Sequence, residues 1–147
     1  AYTSPHLHRF EERILLAGAS ITPEALHRYL EQARHAAGTD LAVKFFEGTT
    51  AAAFLAFADV PADVLLLETG MGGRDDPTNL IMHPIATILT PIDLDHTEYL
   101  GPTLADIAAH KAGIMKPGAP CIVAPQPPEA LAVIAARAAE VQVPLLL

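Results

Sequence analysis

The amino-acid sequence predicts an α/β chain with a mostly parallel sheet flanked by helices. From Val64 onward, short apolar runs alternate with stretches of helical periodicity, the order expected when strands are joined by crossover helices. The runs VLLL, IATILT, CIVA and VPLLL are apolar almost throughout, as in strands covered on both faces.

Taken in chain order, the first clear element is ITPEALHRYLEQARHAAG, where Leu26, Tyr29, Leu30, Ala33 and Ala37 recur at helical spacing. Thr22 is placed to cap that helix, Pro23 suits its first turn, and Gly38 can end it. A second helix is expected over Thr49 to Ala58, apolar nearly all round and therefore buried on several sides. Val64 to Glu68 reads as a strand bounded by Pro61 and a glycine-rich loop, and Ile85 to Thr90 as a second buried strand. A helix over Thr103 to Met115 follows, with Thr103 and Asp106 at capping-box spacing. Cys121 to Ala124 is the third strand, Pro128 to Glu140 an alanine-rich helix, and Val143 to Leu147 the fourth strand.

Composition narrows the function. The chain of 147 residues is 51% hydrophobic and 18% charged, enough to bury a core within one domain. A formal net charge of -8 without a basic tract argues against nucleic acid and anionic membranes as partners. No apolar run approaches the roughly 20 residues of a membrane span, and no signal peptide is evident. The single cysteine, Cys121, excludes an internal disulfide framework and reads as a buried thiol, which suits a reducing cytoplasm.

The chemistry is concentrated in VLLLETGMGGRDDPTN, a short oily run that ends on Glu68 and opens into glycines. A dinucleotide fingerprint fails there, because the third glycine of G-x-G-x-x-G falls on Asp75. No Walker-type G-x-x-x-x-G-K-[ST] occurs anywhere in the chain. Ligands of open parallel sheets bind at the carboxyl ends of strands. Glu68 ends one expected strand, and Asp93, Asp95 and His96 follow the next, so both loops are expected on one edge. A carboxylate with an imidazole across from it suits a hard cation such as Mg²⁺.

Each residue also has a plainer reading. Glu68 can cap a turn, His96 can be a satisfied structural histidine, and Asp93 and Asp95 are natural turn formers. Arg74 can grip a phosphate or carboxylate, or only pair with Asp75 or Asp76. Most lysines placed like Lys111 snorkel to solvent, and Phe45 and Phe46 are more often core than ligand platform.

In order, the segments TSPHLHRFEERI, KFFEGTTAAAFLAF, ETGMGGRDDPTN, TPIDLDHTEYLG and IAAHKAGIMKPG resemble the folylpolyglutamate synthase and dihydrofolate synthase family of the Mur ligase superfamily. The resemblance runs from Thr3 to about Gly118. It implies an ATP-dependent amide ligase that phosphorylates the carboxylate of dihydropteroate or tetrahydrofolate and then captures the acyl phosphate with L-glutamate. Glu68 and His96 match the family's Mg²⁺ positions, and Lys111 matches a lysine the family carbamylates to help hold a second Mg²⁺. Phe46 matches the ring-contacting position, Asp76 a polar loop residue facing the pterin, and Thr3 to Leu7 the segment beside the folate and nucleotide sites.

The sequence departs from that family at Pro77, where a small residue is usual, and at Glu11, where asparagine is usual. The family's phosphate loop and its separate C-terminal domain find no counterpart, so residues 1–147 are expected to be part of a central ATPase domain lacking the phosphate-loop strand. That expectation carries further ones: self-association through unpaired strand edges, and no activity of the chain alone. Two other readings stand beside it, a non-catalytic folding or partner-binding module, and a metal-dependent hydrolase using Asp93, Asp95 and His96.

Overall fold

The structure is a computed structural model that describes residues 1–39 and 43–147. The chain divides into two compact units, Ala1–Gly70 and Met71–Leu147.

In the first unit, a 3-10 turn over Phe10–Arg13 leads into an antiparallel hairpin of β1 (Leu15–Leu16) and β2 (Ala19–Ser20). The hairpin turns through Ala17 (φ 50) and Gly18 (φ 83). Positive φ at both central positions matches the right-handed twist of the strands. The sequence reading contained no hairpin, because its strands are only two residues long and carry no alternation. Helix α1 (Pro23–Ala37) has the expected ends: Thr22 Oγ1 accepts from the Ala25 amide at 3.2 Å, and Gly38 closes it at φ 69.

Helix α2 (Phe45–Asp59) starts four residues earlier than the sequence suggested, because Glu47 reaches back to accept the Lys44 amide at 2.9 Å. Leu26 and Tyr29 of α1 bury against Ala52, Ala53 and Ala56 of α2, and the Tyr29 hydroxyl donates to Asp59 at 2.9 Å. Small residues on α2 admit close approach of the larger α1 side chains. Tyr2 is the other anchor of this core, 1% exposed, with its hydroxyl within 3.1 Å of Thr49 and 3.2 Å of Thr50.

The second unit carries a three-stranded parallel sheet in the order β3 (Thr87–Leu89), β4 (Cys121–Val123), β5 (Leu145–Leu146). Helix α3 (Thr97–Leu100), absent from the sequence reading, and α4 (Leu104–Ala112) fill the first crossover, and α5 (Pro128–Glu140) the second. The Thr103 capping box forms: Thr103 Oγ1 accepts from the Asp106 amide at 3.1 Å, and Asp106 Oδ2 accepts from the Thr103 amide at 3.2 Å. Ile107, Ala108 and Ile134 of the helices join Leu89, Cys121 and Val123 of the strands in one core.

Two expectations need correction. Val64 to Glu68 is not a buried strand: Val64 and Leu66 are 70% and 57% exposed, and Leu67 makes a single parallel bridge to Tyr2. A strand needs a partner along its length, and among the described residues only Tyr2 supplies one. The sheet of the second unit is also not covered on both faces. Its strands alternate, and the in-register row Ile88, Ile122 and Leu146 is 55%, 41% and 52% exposed. The helices that share its core take the opposite face.

Candidate functional site

Glu68 follows the bridge to Tyr2, its amide donating to the Tyr2 carbonyl at 2.9 Å. That bond fixes the backbone, and the Ser4 amide then fixes the side chain by donating to Glu68 Oε2 at 2.8 Å. One carboxylate oxygen is thus oriented while the residue stays exposed. An oriented, accessible carboxylate is the donor chemistry a hard cation requires.

The loop bearing Ser4 is organised by another carboxylate. Glu12 accepts the amides of Leu7 at 2.9 Å, His8 at 3.2 Å and Arg9 at 2.8 Å. These bonds, led by that of Leu7, hold its carboxyl below the ordinary glutamate range. Phe46 is half-buried, its ring centroid 5.8 Å from that of Tyr2. Gly70 is required beside it, because a Cβ there would run into the Phe46 ring. Phe45 is 65% exposed and not a core residue; its neighbour takes the inward position on the helix.

In the second unit, β3 ends at Leu89 and its following loop is clamped by Gln126, which donates to the Thr90 carbonyl and accepts the Ile92 amide, both at 2.9 Å. Asp93 Oδ1 accepts the Leu94 amide at 2.8 Å and Asp95 Oδ1 the His96 amide at 2.9 Å, so both serve as turn formers. His96 stands at the start of α3 in left-handed backbone (φ 50), its Nε2 3.6 Å from Asp95 Oδ2 and its side chain 44% exposed.

The glycine-rich loop lies on the end of α4. Arg74 donates its amide to the His110 carbonyl at 2.9 Å, and Gly113 must be glycine because a Cβ would strike the Arg74 side chain. Arg74 Nε pairs with Asp75 at 3.1 Å, both groups well exposed, and His110 Nδ1 lies 3.8 Å from the same carboxylate. Asp76 is 8% exposed; it accepts the Met71 amide at 2.9 Å and the Thr78 amide and hydroxyl at 2.9 and 2.6 Å. Lys111 is half-buried on α4, one residue beyond His110.

Among the described residues, no group of three or more His, Cys, Asp or Glu side chains is arranged to hold a metal ion. Asp93, Asp95 and His96 therefore do not form the ligand triad that the hydrolase reading requires. Tyr2, Gln126 and His110 were missed from sequence. The D-x-T spacing of Asp76 and Thr78 is a turn signal that identifies the loop's organiser. Gln126 carries no comparable local signal. Cys121 is buried, and that burial pushes its thiol above the ordinary cysteine range.

No protein-family model matches the chain. It is 42% identical over 144 residues to a probable folylpolyglutamate synthase of Schizosaccharomyces pombe, covering 95% of this chain and 28% of that protein. It is 41% identical over 153 residues to the dihydrofolate synthase/folylpolyglutamate synthase of Mycobacterium tuberculosis, covering 92% of this chain and 31% of that protein. The chain belongs to the folylpolyglutamate and dihydrofolate synthase family.

The solved structure of Escherichia coli FolC in complex with DHPP and ADP matches with a TM-score of 0.90 and 37% identity, covering 98% of this chain and 34% of that one. The fold is accordingly the α/β arrangement of that synthase family, of Mur ligase type. The chain spans about a third of the length of the synthases it matches. No helix among the described residues is long and apolar enough to cross a membrane.

Proposed function

We propose that this chain is part of an ATP-dependent ligase that joins L-glutamate to dihydropteroate or a folate, acting in a reducing cytoplasm. The observation that carries the reading is the match over 98% of the chain, at TM-score 0.90, to a synthase in complex with DHPP and ADP. A free carboxylate is a poor electrophile at neutral pH. Transfer of the γ-phosphoryl group of ATP to that oxygen supplies a leaving group, and the glutamate amine then displaces phosphate to form the amide.

The protein's part is positioning and charge neutralisation. Glu68 and His96 are each proposed as Mg²⁺ ligands, and Lys111, once carbamylated, as a further one. Mg²⁺ supplies screening of phosphate charge at the transfer step. The Ser4 amide orients the Glu68 carboxylate, and the Asp95 carboxylate beside His96 favours a fixed imidazole orientation. Arg74 is proposed to contact phosphate, exchanging its exposed pair with Asp75 for a more highly charged partner. Phe46 is proposed to contact the pterin ring and Asp76 to shape the loop that faces it.

Ligation of glutamate to dihydropteroate or tetrahydrofolate is to be measured with the chain alone and with the chain as part of the longer ligase proposed here. Turnover in the longer protein and none in the chain alone is the expected result. Absence of turnover in both would favour the non-catalytic module. We also propose self-association of the isolated chain, supported by the exposed row Ile88, Ile122 and Leu146 and by β3 and β5 lying at the sheet edges. Light scattering should give a mass above the monomer, and a monomer at every concentration would contradict it.

A further inference from the structure

The last carbonyls of a helix have no partner within it, and many helices satisfy them through a left-handed glycine just past the end. Helix α4 does otherwise. Its capping residue Gly113 stays in right-handed backbone (φ -63), and carbonyls at this end of the helix are taken by the glycine-rich loop. The Arg74 amide donates to the His110 carbonyl at 2.9 Å. The side-chain amide of Asn79 donates to the Gly113 carbonyl at 3.3 Å and to the Arg74 carbonyl at 3.0 Å. Two carbonyls facing one end of that side chain identify the end as its nitrogen.

Loop and helix meet here backbone to backbone. A Cβ on Gly73 would come within 3.0 Å of the His110 carbonyl oxygen and 3.1 Å of that of Lys111, and one on Gly113 would strike the Arg74 side chain. Such close approach leaves little room for side chains to interlock, so hydrogen bonds set where the loop sits along the helix. Asn79 makes two of them. It is itself held, half-buried, with its amide donating to the Asp76 carbonyl at 2.9 Å and its carbonyl accepting from Lys116 Nζ at 3.4 Å. An NH₂ group suits the task because it offers two hydrogens, where a hydroxyl offers one and a carboxylate none.

We propose that Asn79 is a positioning residue that fixes Arg74 relative to Lys111. Arg74 projects from the loop and Lys111 from α4, and Asn79 ties the peptide that carries the first to the turn that follows the second. The roles of those two groups, phosphate contact and metal ligand, rest on the ligase reading, whereas the tie stands on the geometry of the second unit. Without the tie the loop shifts along the helix while both remain folded. A small misplacement of Arg74 from Lys111 then weakens the grip on the nucleotide and spares the amino-acid substrate.

The test uses two variants, Asn79→Asp, which keeps the size of the side chain and removes both donors, and Asn79→Ala, which removes them without adding charge. Amide hydrogen exchange is read first, on this chain, as the rate at Arg74 relative to the rate at Cys121 in β4, which reports opening of the sheet. A ratio raised by about tenfold is expected in both variants, and an unchanged ratio would overturn the tie. In the longer ligase, KM for ATP should then rise about tenfold with KM for L-glutamate unchanged. A fall in kcat with neither KM altered would show that Asn79 only supports the fold, and would overturn the positioning role. Absence of turnover in the unmutated longer protein would overturn the ligase reading and the roles of Arg74 and Lys111 with it, while the exchange ratio would still accept or reject the tie.

Discussion

Two apolar runs of nearly the same character, VLLL at Val64 to Leu67 and TIL at Thr87 to Leu89, have different fates. The second lies in a parallel sheet, with Leu89 4% exposed in a core of strand and helix side chains. The first makes one bridge to Tyr2, with Val64 and Leu66 largely exposed. Apolar composition gives a segment the capacity to be a strand, while partners along its length decide whether the capacity is used. Both runs nevertheless lead into loops that bear the candidate chemistry, Glu68 after one and His96 after the other.

Substitution at matched positions sharpens the contrast. Leu89→Ala should destabilise the protein by about 2–5 kcal/mol through a buried cavity, whereas Leu66→Ala should stay within about 0.5 kcal/mol of the parent; urea melts of both variants check this. A large loss at Leu66 would mean that the Val64 run is buried after all. Next in size, Gln126→Ala removes both bonds that clamp the loop after β3. A loss of about 1–3 kcal/mol is expected because the Ile92 amide is left without its acceptor. Tyr2→Phe, which removes the hydroxyl contacts to Thr49 and Thr50, should cost about 1 kcal/mol.

The smallest effect concerns acid. The folded-state pKa of Glu12 is lowered, chiefly by the Leu7 amide, so its contribution is complete above the unfolded-state pKa and is lost as pH falls through the folded one. Glu12→Gln should therefore reduce stability near neutral pH and flatten the loss between neutral and strongly acid solution. An acid profile identical to the parent's would contradict the role of Glu12 in ordering the Ser4 loop.

Local chemistry made much of this fold legible. Thr22, Gly38 and the Thr103–Asp106 box act within a few residues of themselves, and α1 and the start of α4 fall where those signals put them. What was hidden depends on distant partners. Nothing within Val64 to Glu68 indicates that, among the described residues, only Tyr2 will pair with it, and nothing in IATILT indicates that Ile88 will face outward. Phe45 and Phe46 look alike in sequence, yet the helix turns one out and the other toward Tyr2. Glu68, His96 and Lys111 are legible through the motifs that carry the family resemblance, whereas Tyr2 and Gln126 are recognised only from the partners the fold brings to them.

The most direct test of the proposed chemistry is the Mg²⁺ dependence of ligation when Glu68→Gln is placed in the longer protein. The substitution keeps the acceptor for the Ser4 amide and removes the charge. Loss of rate on the order of 100-fold, with a raised Mg²⁺ requirement, is the predicted result. A variant with the parent's rate and the parent's Mg²⁺ requirement would contradict the assignment of Glu68 as a metal ligand.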